Sequence, residues 1–179
     1  MANNVRRSRR CSSSGRCPIM GMDVYGRNAT SEKGEYFRNN VWWWRPLWDY
    51  CEQVFPQCQE VSGHYNDGDG FDKDGAIALA NALLAEIASG RTKQYEDEYN
   101  EKVSNAPDEP CDFCNGVGIV QVKEGWPDYV EGEVTFRDPC NSCQGKKVQR
   151  PFGSNYPFSV ENVKEFAEFL LDSGGFSIH

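Results

Sequence analysis

Residues 34–50 read GEYFRNNVWWWRPLWDY, and this stretch holds four of the five tryptophans: Trp42, Trp43, Trp44 and Trp48. A buried tryptophan removes about 200 Å² from water. At about 25 cal/mol per Å², four of them contribute on the order of 20 kcal/mol, gross. No other segment offers as much from so few residues, so the core is expected to form around it. The pattern predicts an extended segment over 37–44 and a helix from Pro46, where proline suits a first turn. Leu47, Tyr50, Cys51, Val54 and Phe55 follow at helical spacing, and Pro56 should end the helix.

Working outward, 22–25 (MDVY) alternates like a short strand, and 26–34 is rich in turn residues. After the first helix, 63–75 (GHYNDGDGFDKDG) is a loop. Asp72 or Asp74 should cap a second helix whose buried stripe is Ile77, Ala80, Leu83, Leu84 and Ile87. The charged segment 91–103 either continues that helix or forms another, exposed one. Ser159 should cap the last helix, Phe158 should staple onto Val163, and Gly174 and Gly175 should end it. The tail 176–178 can pair with 22–25 and close a sheet.

These segments predict an α+β fold: a small sheet packed with about three helices, plus an inserted zinc-ribbon β-hairpin. The expected organisation is a disordered basic tail at 1–20, a first core part at 21–106, the insert at 107–150, and a helix and strand at 151–179 that complete the core. A chain of 179 residues suits one domain with a small module.

Charge is unevenly placed. Residues 1–20 carry Arg6, Arg7, Arg9, Arg10 and Arg16 and no acid; the rest holds the other 14 basic and all 27 acidic residues, a net of −13. Such a body repels phosphate backbones over its general surface, so nucleic acid is expected only through the basic tail, helped by Lys146, Lys147 and Arg150. The tail lacks the apolar core of a secretory signal. It reads as a transit-like segment, a basic arm, or an upstream extension with the start at Met20 or Met22. No apolar run is long enough to span a membrane.

The strongest chemical signal is Cys111-Asp112-Phe113-Cys114 with Cys140-Asn141-Ser142-Cys143. Two thiolates from one tight turn fill two corners of a tetrahedron around Zn²⁺, and the second turn fills the others. Four sulfurs leave no open position, so one zinc here is structural. Disulfides, free thiols or an iron–sulfur cluster are the competing readings. Ile119–Lys123 and Val134–Arg137 should form a hairpin between the two turns.

A second candidate is the acidic loop 66–74. Counting from Asp67 puts Phe71 at position 5 and Ala78 at position 12, which rules out an EF-hand. A looser Ca²⁺ or Mg²⁺ site and a solvated capping turn both remain. The third candidate is a ligand pocket for a planar or anionic molecule such as a nucleotide. It would use Arg38, Asn39, Asn40, Trp44 and Arg45, closed by His64, Asn66, Asp67 and Asp69. Its structural alternative makes the asparagines a turn and pairs the arginines with carboxylates. No nucleophile elbow, Walker loop or HExxH motif occurs, so an enzyme is not favoured. Cys51 and Cys58 read as buried core thiols.

The cysteine segments resemble the zinc knuckles of the DnaJ cysteine-rich region. Cys111-Asp112-Phe113-Cys114-Asn115-Gly116-Val117-Gly118 matches the CxxCxGxG repeat in full, and the second repeat matches until Lys147 replaces its last glycine. There are two repeats rather than four, and no His-Pro-Asp tripeptide, so co-chaperone activity does not carry over. The segments MGMDVYG (20–26), GEYFRNNVWWWRPLW (34–48), NDGDG (66–70) and YPFSVENVKEFAEFLLDSGGFSI (156–178) make the rest similar to an uncharacterised bacterial and phage family. That resemblance implies a cytoplasmic protein and supplies no mechanism. The combined expectation is a zinc-binding, non-enzymatic cytoplasmic adaptor whose partner is a protein or a small molecule. Because nothing in 1–19 can pack, its deletion should leave the melting temperature unchanged in a thermal melt.

Overall fold

The computed structural model describes residues 21–179; the reading of 1–20 as a basic tail lies outside the described residues. The chain is α+β, and it divides into two compact units: 21–85 with Asn162–His179, and Glu86–Glu161. Among the described residues, no helix is long and apolar enough to cross a membrane.

The first unit is built on a three-stranded antiparallel sheet in the order β2-β1-β7, with β1 (Gly21–Gly26) central. The segments β2 (Tyr36–Asn40) and β7 (Phe176–Ile178) flank it, so the two ends of this unit's chain meet as expected. Val24 lies opposite Phe37 on one side and Ile178 on the other. Val24 and Ile178 are fully buried and Tyr25 is exposed, which is the period-two alternation of a sheet with one covered face.

The expected extended run over 37–44 is corrected. The strand stops at Asn40, and α1 covers Val41–Val54, so Trp42, Trp43 and Trp44 are helical. Asn40 is extended, and its Oδ1 accepts from the backbone amides of Trp42 (3.0 Å) and Trp43 (3.1 Å), which is an N-cap. Pro46 therefore lies inside the helix rather than at its first position. An interior proline costs about 3 kcal/mol. Burying two indoles is worth about 10 kcal/mol gross, which exceeds it. Helical spacing of four residues is also what lets Trp44 and Trp48 stack, with ring centroids 5.5 Å apart and planes 17° from parallel. Both are fully buried, whereas Trp42 and Trp43 are only half-buried, so two tryptophans rather than four anchor the core.

α1 ends before Pro56, which opens a 3-10 turn at Pro56–Glu60. α2 spans Lys73–Ala88 and is capped by Asp72, whose Oδ1 accepts from the Gly75 amide at 2.9 Å. Its buried residues are Ala76, Leu79, Ala80 and Leu83. The expected stripe is thus rotated by about one position, leaving Ile77, Leu84 and Ile87 half-buried. α4 spans Val160–Ser173, starting just after Ser159, and buries Val163, Phe166, Ala167, Phe169 and Leu170. Gly174 and Gly175 follow with φ of 61° and 96°, a reversal that favours glycine. Phe166 meets Trp44 edge-on at 5.5 Å and Phe176 edge-on at 6.1 Å, which ties helix, sheet and tryptophan pair together.

In the second unit, Gly90 (φ 80°) separates α3 (Arg91–Asn105) from α2, so the charged segment is a helix of its own. Tyr95 and Tyr99 stack at 6.1 Å, and Phe158 packs edge-on against Tyr95 at 4.8 Å. Arg150 binds the C-terminal carbonyls of this helix, with Nη2 2.6 Å from Val103 O and Nη1 3.2 Å from Ala106 O. That satisfies orphan acceptors and places a cation at the negative helix end.

Asn40→Ala removes the cap that sets where α1 begins. It should lower stability by about 1 kcal/mol in urea unfolding, with Asn40→Asp retaining most of it.

Candidate metal centre

The ribbon is made of two short antiparallel ladders. β3 (Glu109–Pro110) pairs with β6 (Val148–Gln149), and β4 (Val120–Gln121) pairs with β5 (Phe136–Arg137). The hairpin is shorter than expected, extended only by the Val122 amide donating to Thr135 O at 2.9 Å. A ladder this short does not hold itself together in water.

Beside the ladders lies the cysteine cluster. Cys111, Cys114, Cys140 and Cys143 are buried, and their sulfurs all lie within 4.8 Å of one another. Cys114 Sγ and Cys143 Sγ are 3.8 Å apart. A tetrahedron with metal–sulfur bonds of about 2.3 Å has edges of about 3.8 Å. The Cys114–Cys143 pair therefore stands at the edge length that a tetrahedral ion requires, and the other sulfurs lie close enough to complete the set. Burial pushes the Cys111 thiol up. Hydrogen bonding from the Cys114 amide and thiol, the Phe113 amide and the Cys143 thiol outweighs it and brings Cys111 down to about 7. This favours the thiolate that a metal needs. Among the described residues every cysteine is a free thiol.

The two halves repeat each other in conformation. After Cys114, Asn115 and Gly116 have φ of 52° and 73°; after Cys143, Gln144 and Gly145 have 51° and 78°. Each knuckle thus turns back through two left-handed residues. Gly116 packs toward Pro110 and Gly145 toward Pro139, the prolines that precede each first cysteine. The halves are also cross-linked: the Cys140 amide donates to Gly118 O at 2.7 Å, and the Cys111 amide to Lys147 O at 2.9 Å. The longer repeat, acid-Pro-Cys-x-x-Cys-x-Gly, was visible at 109–116 and 138–145, and this wider signal was missed. Lys147 stands where the first repeat has Gly118 and still adopts φ 70°, so the departure from the pattern leaves the turn intact.

Around the cluster, Trp126 packs on the cysteines and stacks on Phe113 with centroids 5.7 Å apart and planes 4° from parallel. The Arg137 guanidinium lies 4.3 Å from the Trp126 ring centroid. Arg137 also forms two hydrogen bonds to Asp128, at 2.6 and 2.7 Å. A cleft of about 400 Å³ opens beside Phe113, Ile119, Lys123 and Trp126.

The pocket residues predicted from sequence are placed as follows. Arg38 pairs with Asp23 at 3.5 Å. Asn39 is buried and donates to Asn162 Oδ1 at 2.7 Å. Asn40 caps α1, Trp44 Nε1 donates to Gly63 O at 2.7 Å, and Arg45 is exposed. Asn66 donates to Gly21 O at 3.3 Å, and Asp67 accepts from the Asp69 amide at 3.2 Å. Asp69 accepts from the Ser62 and Gly70 amides at 2.9 and 2.8 Å, which hold its carboxyl below the usual value. His64 lies beside Asp49 and Glu52, two residues that the sequence reading did not single out. Burial pushes the Cys51 thiol well above its ordinary value and Cys58 up to about 12, as suits unreactive core thiols.

Comparison with known proteins finds no family model, no curated protein and no solved structure that the chain matches. Neither resemblance noted in the sequence is supported by a match, and what stands is the arrangement of the four cysteines.

Gly118 has φ 93°, and a Cβ there would lie 3.1 Å from Lys147 Cγ and 3.4 Å from Gly145 O. Gly118→Ala should therefore destabilise the ribbon by about 1–2 kcal/mol, seen as faster hydrogen exchange across 111–145.

Proposed function

We propose that the protein is a zinc-binding, non-enzymatic binding or adaptor protein, in which one structural Zn²⁺ holds the ribbon in shape for recognition. The observation that carries this is the 3.8 Å sulfur–sulfur edge within a buried set of four thiols. All-sulfur ligation favours zinc over the hard cations, and a closed set leaves no position for a substrate. The ribbon exposes Ile119, Val134 and Phe136, with the cleft beside Phe113 and Trp126, and a partner protein or small molecule would be recognised there. Thiols held as free cysteines fit a reducing compartment such as the cytoplasm. Arg150 is engaged with α3 rather than free to meet phosphate, which weighs against nucleic-acid recognition by the ribbon.

Elemental analysis of freshly purified protein should find one zinc per chain. Replacing any one of the four cysteines with Ser should lower that content and raise hydrogen exchange across 111–145, while the first unit keeps its protection. Less than about half an equivalent of zinc, with the four thiols in disulfides, would overturn the reading.

A further inference from the structure

We propose that Asp49, Glu52 and His64 form a second metal site, one that takes a divalent first-row transition cation with water in its remaining positions. Asp49 and Glu52 are three residues apart on α1, so both carboxylates rise from one face. His64 Nε2 points between them, 3.3 Å from Asp49 Oδ1 and 3.6 Å from Glu52 Oε1. All three ligand atoms lie within 4.8 Å of one another. Ligands held about 2.1 Å from one ion stand roughly 3.0–3.4 Å apart, so the group closes on a cation with small side-chain movements.

The imidazole distinguishes this group from an ordinary exposed acidic cluster. Its nitrogen is placed by the fold rather than by chance contact. Gly63, the residue before His64, gives its carbonyl to Trp44 Nε1 at 2.7 Å in the buried core. It also presses against Trp48 so closely that a Cβ would lie 1.9 Å from Cε2. The backbone leading into His64 is therefore clamped to both core tryptophans, and the carboxylates stand on the same helix as those tryptophans. The His64 Nδ1 is buried, so Nε2 is the nitrogen available to an external ion. The side chains of Asp49, Glu52 and His64 are 57%, 27% and 30% exposed, which leaves an approach for a hydrated cation. Two oxygens and one imidazole suit transition cations better than Ca²⁺ or Mg²⁺, which take all-oxygen shells.

A proton competes with the metal for Nε2. Hydrogen bonding to Asp49 holds His64 above the ordinary imidazole value, with Glu52 acting in the same sense and burial and Arg45 opposing. The protonated ring pairs with the two carboxylates; the neutral ring offers its lone pair to a metal, with its proton on Nδ1.

The test is titration of Co²⁺ into the full chain after loading with one equivalent of Zn²⁺, followed by calorimetry and visible spectroscopy. One further Co²⁺ should bind, without the thiolate charge-transfer bands that cobalt at the cysteines would give. Asp49→Asn, Glu52→Gln and His64→Gln should each weaken it by roughly tenfold or more, since even outer-sphere partners matter at that level. Asp49 is exposed, so Asp49→Asn keeps the fold, which circular dichroism verifies. No uptake by about 1 mM Co²⁺, or uptake unchanged in the Asp49→Asn and Glu52→Gln variants, would overturn the site. Because the three variants leave every cysteine in place, this result is read independently of the zinc content of the ribbon.

Discussion

The Trp44 indole N–H donates to the Gly63 carbonyl inside the core, and much of the first unit depends on that contact. An unpartnered indole N–H at that depth would cost about 1–3 kcal/mol. Making the bond draws the loop after α1 onto the tryptophan pair, and only glycine fits, because Trp48 occupies the space of a side chain. With the loop fixed, Gly68 N reaches Ile178 O and Ile178 N reaches Asp69 O, so the closing strand gains a partner on its far side. The edge of the sheet is thereby covered by the loop. The acidic residues of that loop work as local acceptors: Asp69 receives two backbone amides and Asp72 caps α2.

The two units hold their order by different means. The first has fused aromatic and aliphatic packing, in which Phe166 touches Phe37, Trp44, Phe169 and Phe176. Removing water from these rings supplies the driving force. The ribbon has ladders two residues long and exposes Ile119, Val134 and Phe136. Its buried cluster is the four cysteines with Val120, and Trp126 packed against it. The four sulfurs stand where a hydrophobic core would elsewhere, since so small a module buries too little apolar surface.

Asp49, Glu52 and His64 illustrate how the tryptophan clamp reaches chemistry. The same contact that satisfies Trp44 brings His64 to the carboxylates of α1. A rigid element with locked neighbours positions ligands better than a free loop does. The ribbon shows a parallel economy, since each half of the repeat supplies the carbonyl that receives the first cysteine amide of the other.

The residue pattern by itself determined the α+β class, the central place of 34–50, and the four cysteines that cluster as a metal could bind them. Those are local signals: periodicity, caps and CxxC spacing act within a few residues. It left the start of α1 wrong by several positions, because a tryptophan run scores as strand until Asn40 is seen to cap a helix. It rotated the stripe of α2, where alanines, leucines and isoleucines fill most positions and Asn81 is the lone polar residue between Gly75 and Glu86 to mark the outer face. Only the tertiary structure decided that Trp44 and Trp48 are the buried pair. Only it decided that Arg38, Asn39, Asn66 and Asp69 bond to the protein itself, and that His64 meets Asp49 and Glu52. Each of these depends on which distant groups share a desolvated neighbourhood. That is settled by packing across the sheet and the loop after α1, where polar groups must find partners wherever the chain brings them.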